Sequence, residues 1–121
     1  MRALLDTSIL ASGHAVPSEA VADGWALSAV TVGELQAGVL MATPAARPAR
    51  LARLSAALAV APTLAVDDVV AARYGELRAA SGRRPANDLW IAATALAHDL
   101  RLVTRDVGQS RLPLVDVQLV D

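Results

Sequence analysis

The sequence predicts an α/β fold, a single domain over residues 1–121 with a central, mostly parallel sheet flanked by helices. Short apolar runs typical of buried strands alternate with longer segments of helical pattern along the whole chain. This alternation implies right-handed crossovers, which place successive strands parallel to one another. The length of 121 residues suits one domain with one core, and no linker or internal repeat divides it.

The strands are predicted from short apolar runs, and two of them stop at an acidic residue. The first covers residues 2–6 and ends at Asp6, and another covers 101–106 and ends at Asp106. Further strands are predicted over 26–30, 63–66 and 112–120. Residues 12–24 contain one proline and two glycines, which predicts a loop with a short helix at 18–23.

Four longer segments have the pattern of helices. The first, 31–42, begins with Thr31 and Glu34, which form a capping-box pattern. The second, 49–61, is apolar on one face. The third, 67–82, has Asp67 as its cap, and Gly82 ends it. The fourth, 85–100, is apolar nearly all round and is therefore expected to be buried.

The composition excludes several classes of site. The chain has no cysteine, which rules out disulfides, zinc–thiolate centres and a catalytic thiol. A net charge of −1 does not suit binding to nucleic acid through counterion release alone, so any such contact would be local. No apolar run approaches the roughly 20 residues of a membrane helix, and the first residues do not form a signal peptide. We expect a cytoplasmic protein that does not enter the membrane.

Four acids are predicted to converge at the carboxyl edge of the sheet, where open α/β sheets place their ligands. Asp6 and Asp106 end strands, whereas Glu34 and Asp88 lie in the first turns of helices. Each acid taken alone has a capping explanation. Together they would repel one another, and a hard divalent cation such as Mg²⁺ or Mn²⁺ removes that conflict.

Three stretches resemble the motif blocks of PIN-domain ribonucleases, and in particular the VapC-type toxins of bacterial toxin–antitoxin pairs. They are "LLDTSIL", "SAVTVGELQAG" and "NDLWIAATALAHDLRLVTRD", in that order. The resemblance implies a Mg²⁺- or Mn²⁺-dependent endoribonuclease in which Asp6, Asp88 and Asp106 bind the metal. Glu34 would be a further ligand or would orient the attacking water. The resemblance also implies a VapB-like antitoxin, which the helices 31–42 and 49–61 would accommodate, and a homodimer.

Other residues would support this chemistry. The hydroxyl and amide positions that match the family are Thr7, Ser8, Asn87 and Thr104. The arginines that could position the RNA backbone are Arg47, Arg50, Arg53, Arg83, Arg84 and Arg105. A solvated helix face explains the first three of these arginines equally well.

The chain departs from the family at one position. Many relatives carry another acid three residues after Asp106, where this chain has Gln109. This difference keeps open the hypothesis of a PIN-like domain that binds RNA or a protein without cleaving. A metal-dependent phosphatase is disfavoured because Asp6 is followed by Thr7 and Ser8 rather than by a second acid two positions on. The chain contains no Gly-Lys-Ser/Thr motif, which excludes a Walker-type nucleotide-binding loop.

Overall fold

The computed structural model, described here for residues 2–121, contains a five-stranded sheet with helices on both faces. All pairings are parallel, and the strand order is β3-β2-β1-β4-β5. The strands are β1 Ala3–Leu5, β2 Trp25–Ser28, β3 Thr63–Leu64, β4 Arg101–Thr104 and β5 Val117–Leu119. The helices are α1 Thr7–Ser12, α2 Ala29–Met41, α3 Arg47–Val60, α4 Asp68–Ser81, α5 Ala86–Ala97 and α6 Val107–Ser110, with a 3₁₀ turn at Ser18–Ala20. The predicted α/β class and its parallel sheet are confirmed.

The alternation of side chains along the central strands builds a core on each face of the sheet. Leu4 of β1 and Leu102 of β4 are partners in register and point to the face covered by α4 and α5. Leu5 and Val103 point to the opposite face, which α1 and α3 cover. Both faces are therefore apolar, as a buried parallel sheet requires, and polar side chains collect where the strands end.

The beginning of α2 differs from the prediction. Ser28 is the N-cap, and its Oγ accepts a hydrogen bond from the Val30 N–H at 3.1 Å. The helix therefore begins at Ala29, and Thr31 is a buried residue of its first turn. The capping-box interpretation of Thr31 and Glu34 is wrong because a better-placed hydroxyl caps the helix three residues earlier.

The last strand is shorter than predicted. It covers Val117–Leu119 only, because the chain turns before it and Leu114 adopts a φ of 71°. The cap of α4 agrees with the prediction, since Asp67 Oδ1 accepts from the Val70 N–H at 2.9 Å. Among residues 2–121, no helix is long and apolar enough to span a membrane.

Candidate active site

Asp6 is buried at the end of β1 and is held by three side-chain donors. It is 4% exposed, and its Oδ2 accepts hydrogen bonds from Ser8 Oγ at 2.7 Å and Thr104 Oγ1 at 2.8 Å. Its Oδ1 accepts from Gln109 Nε2 at 3.0 Å. A buried carboxylate is tolerated where donors replace water, so this network explains how a strand can run directly into a carboxylate.

Glu34 projects from α2 toward the same edge. Its Oε1 accepts a hydrogen bond of 2.6 Å from Thr7 Oγ1, the residue that follows Asp6. Its Oε2 lies 3.4 Å from Asn87 Nδ2 at the start of α5, a long contact. Glu34 therefore connects the first turns of α1 and α5, and both predicted supporting residues Thr7 and Asn87 contact it.

Asp106 and Asp88 complete the acidic edge. Asp106 is exposed and caps α6, since its Oδ1 accepts from the Gly108 N–H at 2.7 Å. Its own N–H donates to Thr104 Oγ1 at 3.0 Å, so Thr104 bridges Asp6 and Asp106. Asp88 lies in the first turn of α5 and lines a cavity with Asp106.

The electrostatics of Asp88 connect all four acids. Burial, followed by the negative charges of Asp6, Asp106 and Glu34, raises the pKa of Asp88 to about 6, and the Arg84 guanidinium partly opposes this rise. Carboxylates from three separate segments therefore lie close enough to Asp88 to raise its pKa. The acidic cluster is defined here as Asp6, Glu34, Asp88 and Asp106.

The residues of the acidic cluster fit a hard divalent cation by charge and by donor type. Carboxylate oxygens are the ligands that Mg²⁺ and Mn²⁺ prefer, and a cation would remove the repulsion that raises the pKa of Asp88. In residues 2–121, no three carboxylate or imidazole groups lie close enough together to hold a metal as they stand. A cation would thus have to draw the carboxylates nearer than the structure has them.

Comparison with known proteins assigns the family. A PIN domain profile matches residues 3–114. Ribonuclease VapC4 of Mycobacterium tuberculosis is 40% identical over 124 residues, covering 96% of this chain and 95% of that protein. The chain is a PIN domain of the VapC family.

Solved structures of VapBC systems have the same fold as this VapC-family chain. VapBC-5 of Mycobacterium tuberculosis superposes with a TM-score of 0.83 at 39% identity, with 98% of both chains covered. VapBC2 of Rickettsia felis, solved bound to a DNA fragment from their promoter, gives a TM-score of 0.84 at 25% identity over 100% of both chains. The likeness extends over the whole chain, so it includes all four segments that carry the acidic cluster.

Two polar residues beside the acidic cluster were not predicted as members of the site. Gln109 is 2% exposed and donates to Asp6, and Thr31 is fully buried with its Oγ1 3.1 Å from Thr7 Oγ1. Gln109 was noticed only as a departure from the family. Its position three residues after Asp106, on the short helix α6 that Asp106 caps, is the signal that could have found it.

The predicted arginines fall into two groups. Arg84 is half-buried beside the acidic cluster, where its Nη1 donates to Gly108 O at 2.7 Å. It lines a cavity of about 160 Å³ together with Asp88, Asp106 and Gln109. Arg105 follows Thr104; its Nη2 is 3.1 Å from His14 Nδ1, and its backbone N–H donates to Ser8 Oγ at 3.0 Å. Arg83 is exposed on the loop before α5.

The arginines of α3 lie on the other side of Glu34. Arg50 and Arg53 line a second cavity of about 160 Å³ with Thr7 and Glu34, between α1, α2 and α3. Arg50 Nη1 donates to Gly38 O at 3.2 Å, whereas Arg47 Nη2 contacts Leu40 O and Ala42 O at 3.4 and 3.3 Å. Arg47 thus binds backbone carbonyls at the end of α2, whereas Arg50 and Arg53 line the cavity beside Glu34.

Proposed function

We propose that this chain is the toxin of a type II toxin–antitoxin pair, a divalent-metal-dependent endoribonuclease that acts in the cytoplasm. The observation that carries the proposal is the acidic cluster, in which burial and the negative charges of Asp6, Asp106 and Glu34 raise the pKa of Asp88. Carboxylates that repel one another in this way favour the binding of a cation between them. The relatives described as ribonucleases support RNA as the substrate.

Asp6, Asp88 and Asp106 are the residues that would hold Mg²⁺ or Mn²⁺. When bound, the cation polarises the scissile phosphate and lowers the pKa of a coordinated water. Asp6 is fixed in place by its three donors, so it would serve as the rigid ligand. Asp88 and Asp106 have fewer restraints on their carboxylates and can close onto the ion from the helix side.

Glu34 is suited to accept a proton. Its Oε1 is occupied by the short hydrogen bond from Thr7 Oγ1, whereas its Oε2 has only the long contact with Asn87. The freer oxygen Oε2 can therefore orient an attacking water and take its proton, as a general base must lie within hydrogen-bond reach.

Arginines on both sides of the acidic cluster would position the RNA backbone. Arg84 lines the cavity beside Asp88, and Arg53 lines the cavity beside Glu34. Guanidinium groups bind phosphate oxygens in a bidentate manner and offset the repulsion between phosphate and carboxylates. Arg105, on the segment between Thr104 and Asp106, is the third candidate.

We propose a VapB-like antitoxin as the partner that blocks this site. The solved relatives are described as VapBC toxin–antitoxin systems. In the groove between α2 and α3, the cavity that both helices line reaches Glu34, and α2 ends in two exposed apolar residues, with Leu40 71% and Met41 85% exposed. An amphipathic antitoxin segment in this groove would cover the cavity by the helix-in-groove mode. The homodimer stays a prediction, which light scattering of the purified chain checks.

The test is a cleavage assay on total cellular RNA with Mn²⁺ or Mg²⁺ against EDTA. The wild-type chain should give discrete fragments, which EDTA and Asp88→Asn should abolish. Asp116→Asn is the matched control, because Asp116 is exposed and pairs with Arg101 at 3.0 Å at the opposite edge of the sheet. Its cleavage should equal that of the wild type.

Two outcomes would contradict the proposal. Cleavage by Asp88→Asn at the wild-type rate would exclude a role for the acidic cluster. Absence of cleavage by a folded, cation-loaded wild-type chain would leave a PIN domain that binds without cutting.

A further inference from the structure

Gln109 is a buried glutamine that contacts the acidic cluster directly. It is 2% exposed, although glutamine is normally a surface residue, and its Nε2 donates to Asp6 Oδ1 at 3.0 Å. The direction of this hydrogen bond fixes the amide: a carboxylate can only accept, so the nitrogen must face Asp6. Oε1 then points away from Asp6.

That Oε1 is buried without a hydrogen-bond partner in residues 2–121. A buried carbonyl oxygen is rarely left without a donor, and each such case calls for an explanation. Gln109 also lines the cavity that Asp88 and Asp106 line, so it lies beside three acids of the acidic cluster, including its hydrogen-bond partner Asp6. A water molecule bound to a cation is a donor that this position would accept.

We infer that Gln109 is a positioning residue, which orients Asp6 for the divalent cation through Nε2 and accepts a hydrogen bond from a water of that cation through Oε1. The inference rests on the proposed function, since it assumes that the acidic cluster binds a cation. Residues that hydrogen-bond to ligating carboxylates fix their orientation, and their loss weakens metal binding. A residue that merely filled space at this position would have no effect on cation affinity.

The test is a titration of the purified chain with Mn²⁺. Calorimetry and the electron paramagnetic resonance signal of free Mn²⁺ measure the binding. Gln109→Met keeps the length of the side chain but can neither donate to Asp6 nor accept from a water. It should weaken Mn²⁺ binding roughly 10- to 100-fold, the usual effect of losing a hydrogen-bond partner of a metal ligand.

Gln109→Glu is the second variant, because it keeps the shape and places a carboxylate against Asp6. With EDTA present it should melt at a lower temperature than the wild type, and saturating Mn²⁺ should raise its melting temperature more than it raises that of the wild type. This comparison tests the inference even if Gln109→Met does not fold.

Gln118 provides the matched control. Its Oε1 is also buried without a partner, but it lies on β5 and lines a separate cavity with Ala15 and Val16. Gln118→Met and Gln118→Glu should leave Mn²⁺ affinity within about twofold of the wild type, as expected for a site that is not hydrogen-bonded to a ligand.

The outcomes separate this inference from the proposed function. Wild-type Mn²⁺ affinity in Gln109→Met, or an equal thermal gain from Mn²⁺ in Gln109→Glu and the wild type, would overturn the role of Gln109 alone. A wild-type chain that binds no Mn²⁺ would overturn the metal-dependent function together with this inference.

Discussion

The acidic cluster has a strand side, represented by Asp6, and a helix side, represented by Asp88, and the two carboxylates have different surroundings. On the strand side, Asp6 is 4% exposed and accepts three hydrogen bonds from Ser8, Thr104 and Gln109. On the helix side, Asp88 is half-buried, and its carboxylate accepts no hydrogen bond from the part of the chain described here. Hydrogen bonds within the fold compensate for the burial of the Asp6 carboxylate, whereas the Asp88 carboxylate has no such compensation among the described residues.

The difference follows from the elements that carry the two acids. Asp6 directly follows the buried strand β1, whose end lies beside the ends of the neighbouring strands. Hydroxyl and amide side chains of neighbouring segments therefore surround it. Asp88 lies in the first turn of α5, where the helix dipole favours a negative charge by about 0.3–1 kcal/mol. Burial and three neighbouring carboxylates outweigh that gain, since the pKa of Asp88 rises to about 6 rather than falling.

The largest expected effect comes from removing the packing that holds the helix side in place. Trp90 lies two residues after Asp88 and stacks on Tyr74 of α4, with ring centroids 3.9 Å apart and an angle of 14°. Trp90→Ala should lower the free energy of unfolding by about 3–4 kcal/mol, the lower part of the range for such truncations, because the ring is only half-buried. Urea unfolding measures it. Val69→Ala, at a 53% exposed site on α4, is the control, and equal midpoints for both variants would place Trp90 outside the core.

Removing the charge of Asp6, on the strand side, should destabilise the folded chain. Asp6→Asn replaces an acceptor-only group by one whose NH₂ must face donors, so one or two of the three hydrogen bonds are lost. We expect the free energy of unfolding in cation-free buffer to fall by about 2–3 kcal/mol, as for hydrogen bonds to a buried charged group. Urea unfolding of Asp6→Asn beside Asp116→Asn checks this. An increase in stability would mean that repulsion among the acids exceeds the hydrogen bonding at Asp6.

The sequence predicted which acids share one edge of the sheet but not how each is held. Strand ends and helix starts place Asp6, Glu34, Asp88 and Asp106 at one edge through topology alone, which local patterns and the parallel sheet supply. The hydrogen bond from Gln109 to Asp6 joins residues 103 positions apart in the sequence. No local pattern encodes the orientation of a side chain across such a separation.

The predicted boundaries of helices and strands were wrong where two local sequence signals competed. Thr31 and Glu34 fit a capping box, but Ser28 offers the same chemistry three residues earlier and wins because the chain turns directly after β2. The run 112–120 is apolar enough for a strand, yet Leu114 with a φ of 71° interrupts it. Both differences arise from backbone geometry, which apolar periodicity does not report.

A change of pH should alter the affinity for Mn²⁺ through Asp88 on the helix side, and this effect should be smaller than those of the two substitutions above. On the proposed function, Mn²⁺ competes with a proton at Asp88, so Mn²⁺ affinity should fall about tenfold between pH 7 and pH 5, since a group with a pKa of about 6 is only about one-tenth ionised at pH 5. Titrations at pH 5, 6 and 7 measure this dependence. Asp88→Asn should bind more weakly and with a flatter dependence. Equal wild-type affinities at pH 5 and pH 7 would show that Asp88 does not bind the cation.

The smallest expected effect is a gain in stability when the helix-side charge is removed. The pKa of Asp88 is raised in the folded state from 3.8 to about 6, so the folded chain binds the proton more tightly than the unfolded chain does. Stability attributable to Asp88 is therefore greatest below about pH 4 and is lost as the pH rises through 6. Asp88→Asn should be more stable than the wild type in EDTA at pH 7, by on the order of 1 kcal/mol after screening by solvent. At pH 4 the two should differ less, because Asp88 is then mostly protonated, and thermal melts at both pH values give the comparison. A gain at pH 7 opposite in sign to the loss in Asp6→Asn would show that, without a cation, the fold stabilises the carboxylate of Asp6 but not that of Asp88.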